Sequence, residues 1–203
     1  MKRIVSCFAL ALAMLASSAA FAQTDSYRST MSGPSEATPN SSPGAGIASI
    51  VLDQWSILLQ VNVPFIDLTS NTVAAHLHCC TALPLIGNSP VAIAFTDFPL
   101  GVRSGLYQRT FDLSNPSTYS AAFLTASGGT AESARTVLLA GLADFKSYLN
   151  IHTSAYPGGE IRGFNVPLPV PEPSSWLMLG IGLAGVAWVA RRRSMAAAPA
   201  LPI

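Results

Sequence analysis

The three histidines of the chain fall in two short stretches, Ala75-His76-Leu77-His78-Cys79-Cys80 and Asn150-Ile151-His152-Thr153. His76 and His78 are two residues apart, so on a β-strand both imidazoles face the same way, and His152 on another strand could complete a set of three. Imidazole sets suit zinc or copper. The same side chains also suit a structural role, hydrogen-bonding buried backbone and each other, and that role is the first expectation here, with metal or redox chemistry as the alternative. Cys79 and Cys80 are adjacent. A trans peptide would hold their Cα atoms about 3.8 Å apart, below the usual disulfide range of roughly 4.4 to 6.8 Å. A strained intramolecular bridge, free thiols with one near the histidines, and pairing with another chain all remain open on these residues.

Other catalytic patterns are missing. The sequence has no Gly-x-Ser-x-Gly elbow, no phosphate loop and no His-Glu-x-x-His, and its acidic residues are scattered, so a non-enzymatic role is expected. A second stretch, Pro157-Gly158-Gly159-Glu160-Ile161-Arg162-Gly163, reads as a turn entering a strand, with Glu160 and Arg162 on one face as a local ion pair.

The elements that must position these groups are mostly β. Strands are expected over 26–31, 47–52, 56–63, 71–78, 91–95, 105–111, 148–153 and 160–164, with a Gly/Pro/Ser-rich loop over 33–46. Thr130 as a cap, Glu132 in the first turn and apolar Val137, Leu138, Leu139 and Leu142 predict a helix over 130–143. Short strands with one inserted helix favour an antiparallel β-sandwich or barrel.

The ends differ in grammar. Only 10% of the 203 residues are charged and 50% are hydrophobic, and the apolar excess gathers at the two termini. Met1-Lys2-Arg3, the run Ile4–Leu15 and Ala20-Phe21-Ala22 form a signal peptide over 1–22, so the mature chain begins at Gln23. A β domain over 23–165 leads to a Pro-rich linker over 166–175 with Pro171-Glu172-Pro173. Then come an apolar run, Trp176–Ala190, the cluster Arg191-Arg192-Arg193, and a tail over 194–203. The run is read as a transmembrane helix, though a marginal one, because 15 residues span about 22 Å of a roughly 30 Å hydrocarbon core. Arginines on the cytoplasmic side would leave the domain outside the cytoplasm. The full chain carries net charge +1. A form from Gln23 to Val170 has six basic and nine acidic residues, net −3, which excludes the basic patch that nucleic-acid binding requires.

Two resemblances follow. Pro171-Glu172-Pro173, the apolar run and Arg191–Arg193 resemble the PEP-CTERM sorting signal, although Ser194–Ile203 extend past the usual end of such signals. That resemblance implies an exosortase as partner, transient anchoring in the inner membrane, and delivery to the cell surface or extracellular space. Gly33-Pro34-Ser35-Glu36-Ala37-Thr38-Pro39, Ala75-His76-Leu77-His78, Asn150-Ile151-His152-Thr153 and Pro157-Gly158-Gly159-Glu160-Ile161-Arg162-Gly163 resemble the CHRD domain over about residues 27–164. The family has no settled activity, so the joint expectation is a structural or binding role at the surface, with extracellular matrix or polysaccharide as partner. A His-x-His on a sandwich is also similar to the strand arrangement of copper/zinc superoxide dismutases, but no further histidine cluster follows.

Overall fold

The computed structural model describes residues 24–53, 55, 57–169 and 175–196. The signal peptide, Pro171-Glu172-Pro173 and most of the tail lie outside the described residues. The chain divides into two compact units, one ending at Leu168 and the other beginning at Pro169.

The first unit is built on alternation. In β2 (Ala45–Asp53) and β3 (Leu58–Ile66), Ala48, Ile50, Leu52, Leu59, Val61, Val63 and Phe65 are buried, and most intervening residues are exposed. This is the period-2 pattern of strands with one face on a core. With β1 (Thr24–Ser32), β4 (Thr72–Cys79), β5 (Val91–Ala94), β6 (Gly105–Asp112), β7 (Ser147–Thr153), β8 (Ile161–Phe164) and β9 (Val166–Pro167), they form one sheet. Its order is β5-β4-β7-β8-β1-β2-β3-β6, with β9 also on β1, and every pairing is antiparallel.

The two terminal strands meet through side chains. Phe95, just past β5, stacks on Tyr107 and Phe111 of β6 at 4.9 and 5.9 Å, and the Tyr107 hydroxyl donates to the Thr96 carbonyl at 3.0 Å. The sheet is therefore curled into an open barrel around one core, not split into the two stacked sheets of a sandwich. Strand alternation is the same in both architectures, which is why it does not separate them.

Two helices cover part of this core where one was expected. α1 (Ala121–Ala126) is capped by Ser120, whose Oγ accepts from Phe123 N–H, and it buries Phe123. α2 (Ala131–Ala143) starts at the predicted Thr130 cap, with Ser133 completing a capping box, and buries Ala134, Leu138 and Leu142. β9 places Val166 and Pro167 in the sheet opposite Arg28 and Tyr27, so pairing continues into the segment expected as linker.

The second unit contains α3 (Ser175–Ala196), the helix expected from the apolar run. Among the described residues no helix is long and apolar enough to cross a membrane, so the structure does not show the expected transmembrane helix. The run is interrupted by Gly180, Gly182 and Gly185 and meets Arg191 and Arg192 after 15 residues. Within α3 the Arg192 guanidinium lies 4.0 Å over the Trp188 ring.

Candidate functional site

The register of β4, β7 and β8 sets out the site. His76 faces Asn150, which faces Arg162; His78 faces Tyr148, which faces Phe164; and His152 lies opposite Ala74. Ala75 and Leu77 turn into the core, so His76 and His78 occupy the outer face of the curled sheet, as their spacing requires.

His152 joins them on the diagonal. Its Nε2 lies 3.1 Å from His76 Nδ1, and one ring nitrogen from each of the three histidines lies within 4.8 Å of the others. Two of the imidazoles are oriented from behind by backbone carbonyls. His152 Nδ1 donates to Pro157 O at 2.9 Å, and His78 Nδ1 donates to Ser89 O at 2.8 Å. A carbonyl oxygen only accepts, so both protons are placed on Nδ1 and both Nε2 atoms present lone pairs. His78 Nε2 is 3.0 Å from the Asn150 amide, which serves a neutral ring by turning its NH2 toward that nitrogen. Tyr148 stacks on His78 at 4.6 Å and fixes its plane.

All three histidines are held neutral. Burial, together with the neighbouring His152 and His78, lowers His76 to about 4. Burial also lowers His78 and His152, against the raising effect of their carbonyl hydrogen bonds. A neutral imidazole with its far nitrogen tied to a carbonyl is the form that ligates a metal, and the carbonyl is the usual outer partner of such a ligand. Zinc would sit about 2.0 to 2.1 Å from each nitrogen.

The cysteines lie beside this site but not in it. Cys79 and Cys80 are joined by a disulfide across a cis peptide, with the Cα atoms 3.0 Å apart, so neither offers a thiolate to the histidines. Cys79 is buried in the core, and Gly141 of α2 packs so closely on both sulfurs that a side chain there would collide with them.

Glu160 and Arg162 do not form the expected ion pair. The Glu160 carboxylate, fully buried just before β8, accepts from Ser42 Oγ, Thr69 N–H and Thr153 Oγ1, each at 2.5 Å. Burial alone would raise its pKa, but these bonds outweigh burial and hold it below the usual carboxylate range. Arg162 turns to neutral acceptors instead. Its Nε donates to Ser35 O at 3.0 Å and its Nη1 to Gly87 O and Asn88 Oδ1 at 3.1 and 2.9 Å, while its guanidinium caps the Tyr148 and Phe164 rings. The turn before them is as expected: Gly159, at φ +127°, accepts a conformation that a side chain would resist, and a Cβ there would meet the Glu36 carboxyl at 2.5 Å.

The sequence reading assigned no role to Asn150, Ser89, Tyr148 or Glu36. Asn150 and Glu36 stand inside motifs it singled out, but Ser89 and Pro157 act through backbone carbonyls, which no residue type announces.

Comparison with known families gives two matches. A CHRD domain model matches residues 27–164, and a PEP-CTERM protein-sorting motif matches residues 169–193. Comparison with curated proteins and with solved structures gives no match.

Proposed function

Since this chain belongs to the CHRD domain family and ends in a PEP-CTERM motif, which implies an exported protein sorted by an exosortase, we propose that it is a surface or extracellular binding module that holds one zinc or copper ion on His76, His78 and His152. The observation that carries the metal reading is the pair of carbonyl bonds, Pro157 O to His152 and Ser89 O to His78. They leave both Nε2 atoms unprotonated, His152 Nε2 accepting from His76 Nδ1–H and His78 Nε2 from the Asn150 amide, so a metal ion would take the place of those two bonds.

The role is binding rather than catalysis. Processing near Pro171-Glu172-Pro173 then separates the domain from α3; peptides from Trp176–Ala190 in mature surface material would refute that step. The metal reading is tested on the untagged protein by metal analysis after dialysis against zinc or copper, then by titration calorimetry. One equivalent is expected, with at least a tenfold loss of affinity in His152→Ala and in His76→Ala. Absence of bound metal, or an affinity unchanged from the parent in either variant, would sink it.

A further inference from the structure

A second site lies on the same outer face, joined to His78 through the Tyr148 ring that stacks on it and carries the Arg162 guanidinium. A cavity of about 500 Å³ opens between the Ser35–Ala37 segment, the Leu85–Asn88 loop and β8. Arg162 and Glu36 both line it, and both are more than nine-tenths buried.

Their valences are incompletely used. Arg162 spends Nε and Nη1 on Ser35, Gly87 and Asn88, and its Nη2 makes no hydrogen bond among the described residues. All three acceptors are neutral, so the guanidinium charge is not balanced by a bonded carboxylate. Glu36 is near enough to feel that charge yet forms no ion pair with it, and Glu36 Oε1 is buried with no hydrogen-bond partner. Most buried polar atoms in folded proteins are satisfied, and a buried charge is normally paired. Here Arg162, with its Nη2 N–H groups uncommitted, and Glu36 line the same hollow.

We propose that this cavity binds a carboxylate ligand, taken by the Nη2 end of Arg162 beside Glu36, with Leu85 and Ile86 contacting the body of the ligand. The Tyr148 and Phe164 rings hold the guanidinium flat, so little ordering remains for the ligand to impose. Glu36 in its protonated form, which burial favours by pushing its pKa up to about 7, places no negative charge beside the anion. Leu85 and Ile86 are exposed at the rim, an apolar lip over a polar floor, as expected of a small-molecule pocket.

The body of the ligand could be a short hydrocarbon or a sugar ring, and the test separates them. The full-length protein is titrated, with a chelator present to keep metal out, with butyrate, with glucuronate and with neutral glucose. The readout is the Arg162 Nε–H resonance and the Gly87, Asn88 and Gly163 amide resonances. Saturable shifts with butyrate and glucuronate but not glucose assign the site to carboxylates in general. Shifts with one alone name the body. Glu36→Gln, neutral and of the same shape, should bind within about threefold of the parent. Thr30→Trp, a bulky side chain at an exposed β1 position that lines the cavity, should abolish the shifts in a protein whose remaining spectrum is unchanged. No shift with either acid, shifts with glucose, or undiminished binding in Thr30→Trp would overturn the proposal.

Discussion

Glu160 and Arg162 stand two residues apart and are both buried, yet their surroundings differ in kind. Glu160 is saturated: hydroxyls from Ser42 and Thr153 and the Thr69 amide converge on its two oxygens, drawn from segments up to 118 residues away. Arg162 leaves its Nη2 N–H groups unspent beside the cavity. A buried ion whose valences are all met within the chain ties loops together and has nothing to offer a ligand. One that keeps a lone pair or an N–H in reserve costs stability and points to binding. Burial alone does not separate the two, but a count of donors and acceptors does.

The most direct way to break this contrast is Glu160→Ala. It strands three buried donors that converge from the loop after β1, the loop before β4 and the end of β7, and should cost about 3 to 5 kcal/mol by analogy with other broken buried charge networks. The affinity of whatever fraction remains folded for zinc should be unchanged. Denaturant unfolding measures the first and calorimetry the second. A loss below about 1 kcal/mol would place Glu160 with the unsaturated groups and erase the distinction.

Much of this arrangement is legible in the sequence, to different depths. The alternation Tyr107-Gln108-Arg109-Thr110-Phe111 marks β6, and Thr130 marks the start of α2, because both signals are local. The His76 and His78 spacing is local as well. His152 reaches them only because β7 pairs with β4 after the chain has gone through β5, β6 and two helices, a non-local event that residue types do not encode. The expected Glu160–Arg162 pair fails for the same reason. Spacing places the two charges near one another, but Ser42, Thr69, Ser35 and Asn88 arrive from elsewhere and satisfy them separately. The cis peptide at Cys79–Cys80 has no signature in a sequence that lacks proline there.

Acid titration sharpens the contrast with a smaller effect. His76 is lowered from 6.5 in the unfolded chain to about 4 in the fold, so its neutral form favours the native state. That contribution is fully present above pH 6.5, is lost progressively as pH falls, and is gone below about 4. Discounted for its partial exposure, the loss is about 2 kcal/mol, and His78 and His152 act in the same direction. Bound zinc should be released over the same window, since protons compete for the same nitrogens. Glu160, lowered in the fold, adds its own loss only below its ordinary 4.5. Denaturant midpoints measured from pH 8 to pH 4 in metal-free buffer should therefore fall with a first limb that His76→Gln reduces; an unaltered limb would remove the histidines from the acid response.

Glu36→Gln tests the opposite sign with the smallest effect. Its carboxyl is raised from 4.5 to about 7 by burial, the Arg162 charge opposing that rise only in part. A raised carboxyl favours the fold below pH 4.5, and this contribution disappears as pH rises through about 7, where the buried group must ionise without a bonded counter-charge. Glutamine cannot ionise, so the variant should gain about 1 kcal/mol at pH 8 relative to its effect at pH 4.5, after allowance for solvent reaching the cavity. Because Glu36 offsets part of the histidine loss between pH 7 and 4.5, removing it should also steepen the acid limb. A Glu160→Gln change, made at a lowered carboxyl, should instead destabilise at pH 8 and approach neutrality in acid. Opposite pH slopes for these two buried glutamates would show that the difference lies in their partners and not in their depth. Parallel slopes would show that Glu36 is ionised in the fold, and the cavity would then hold a negative charge beside the proposed anion.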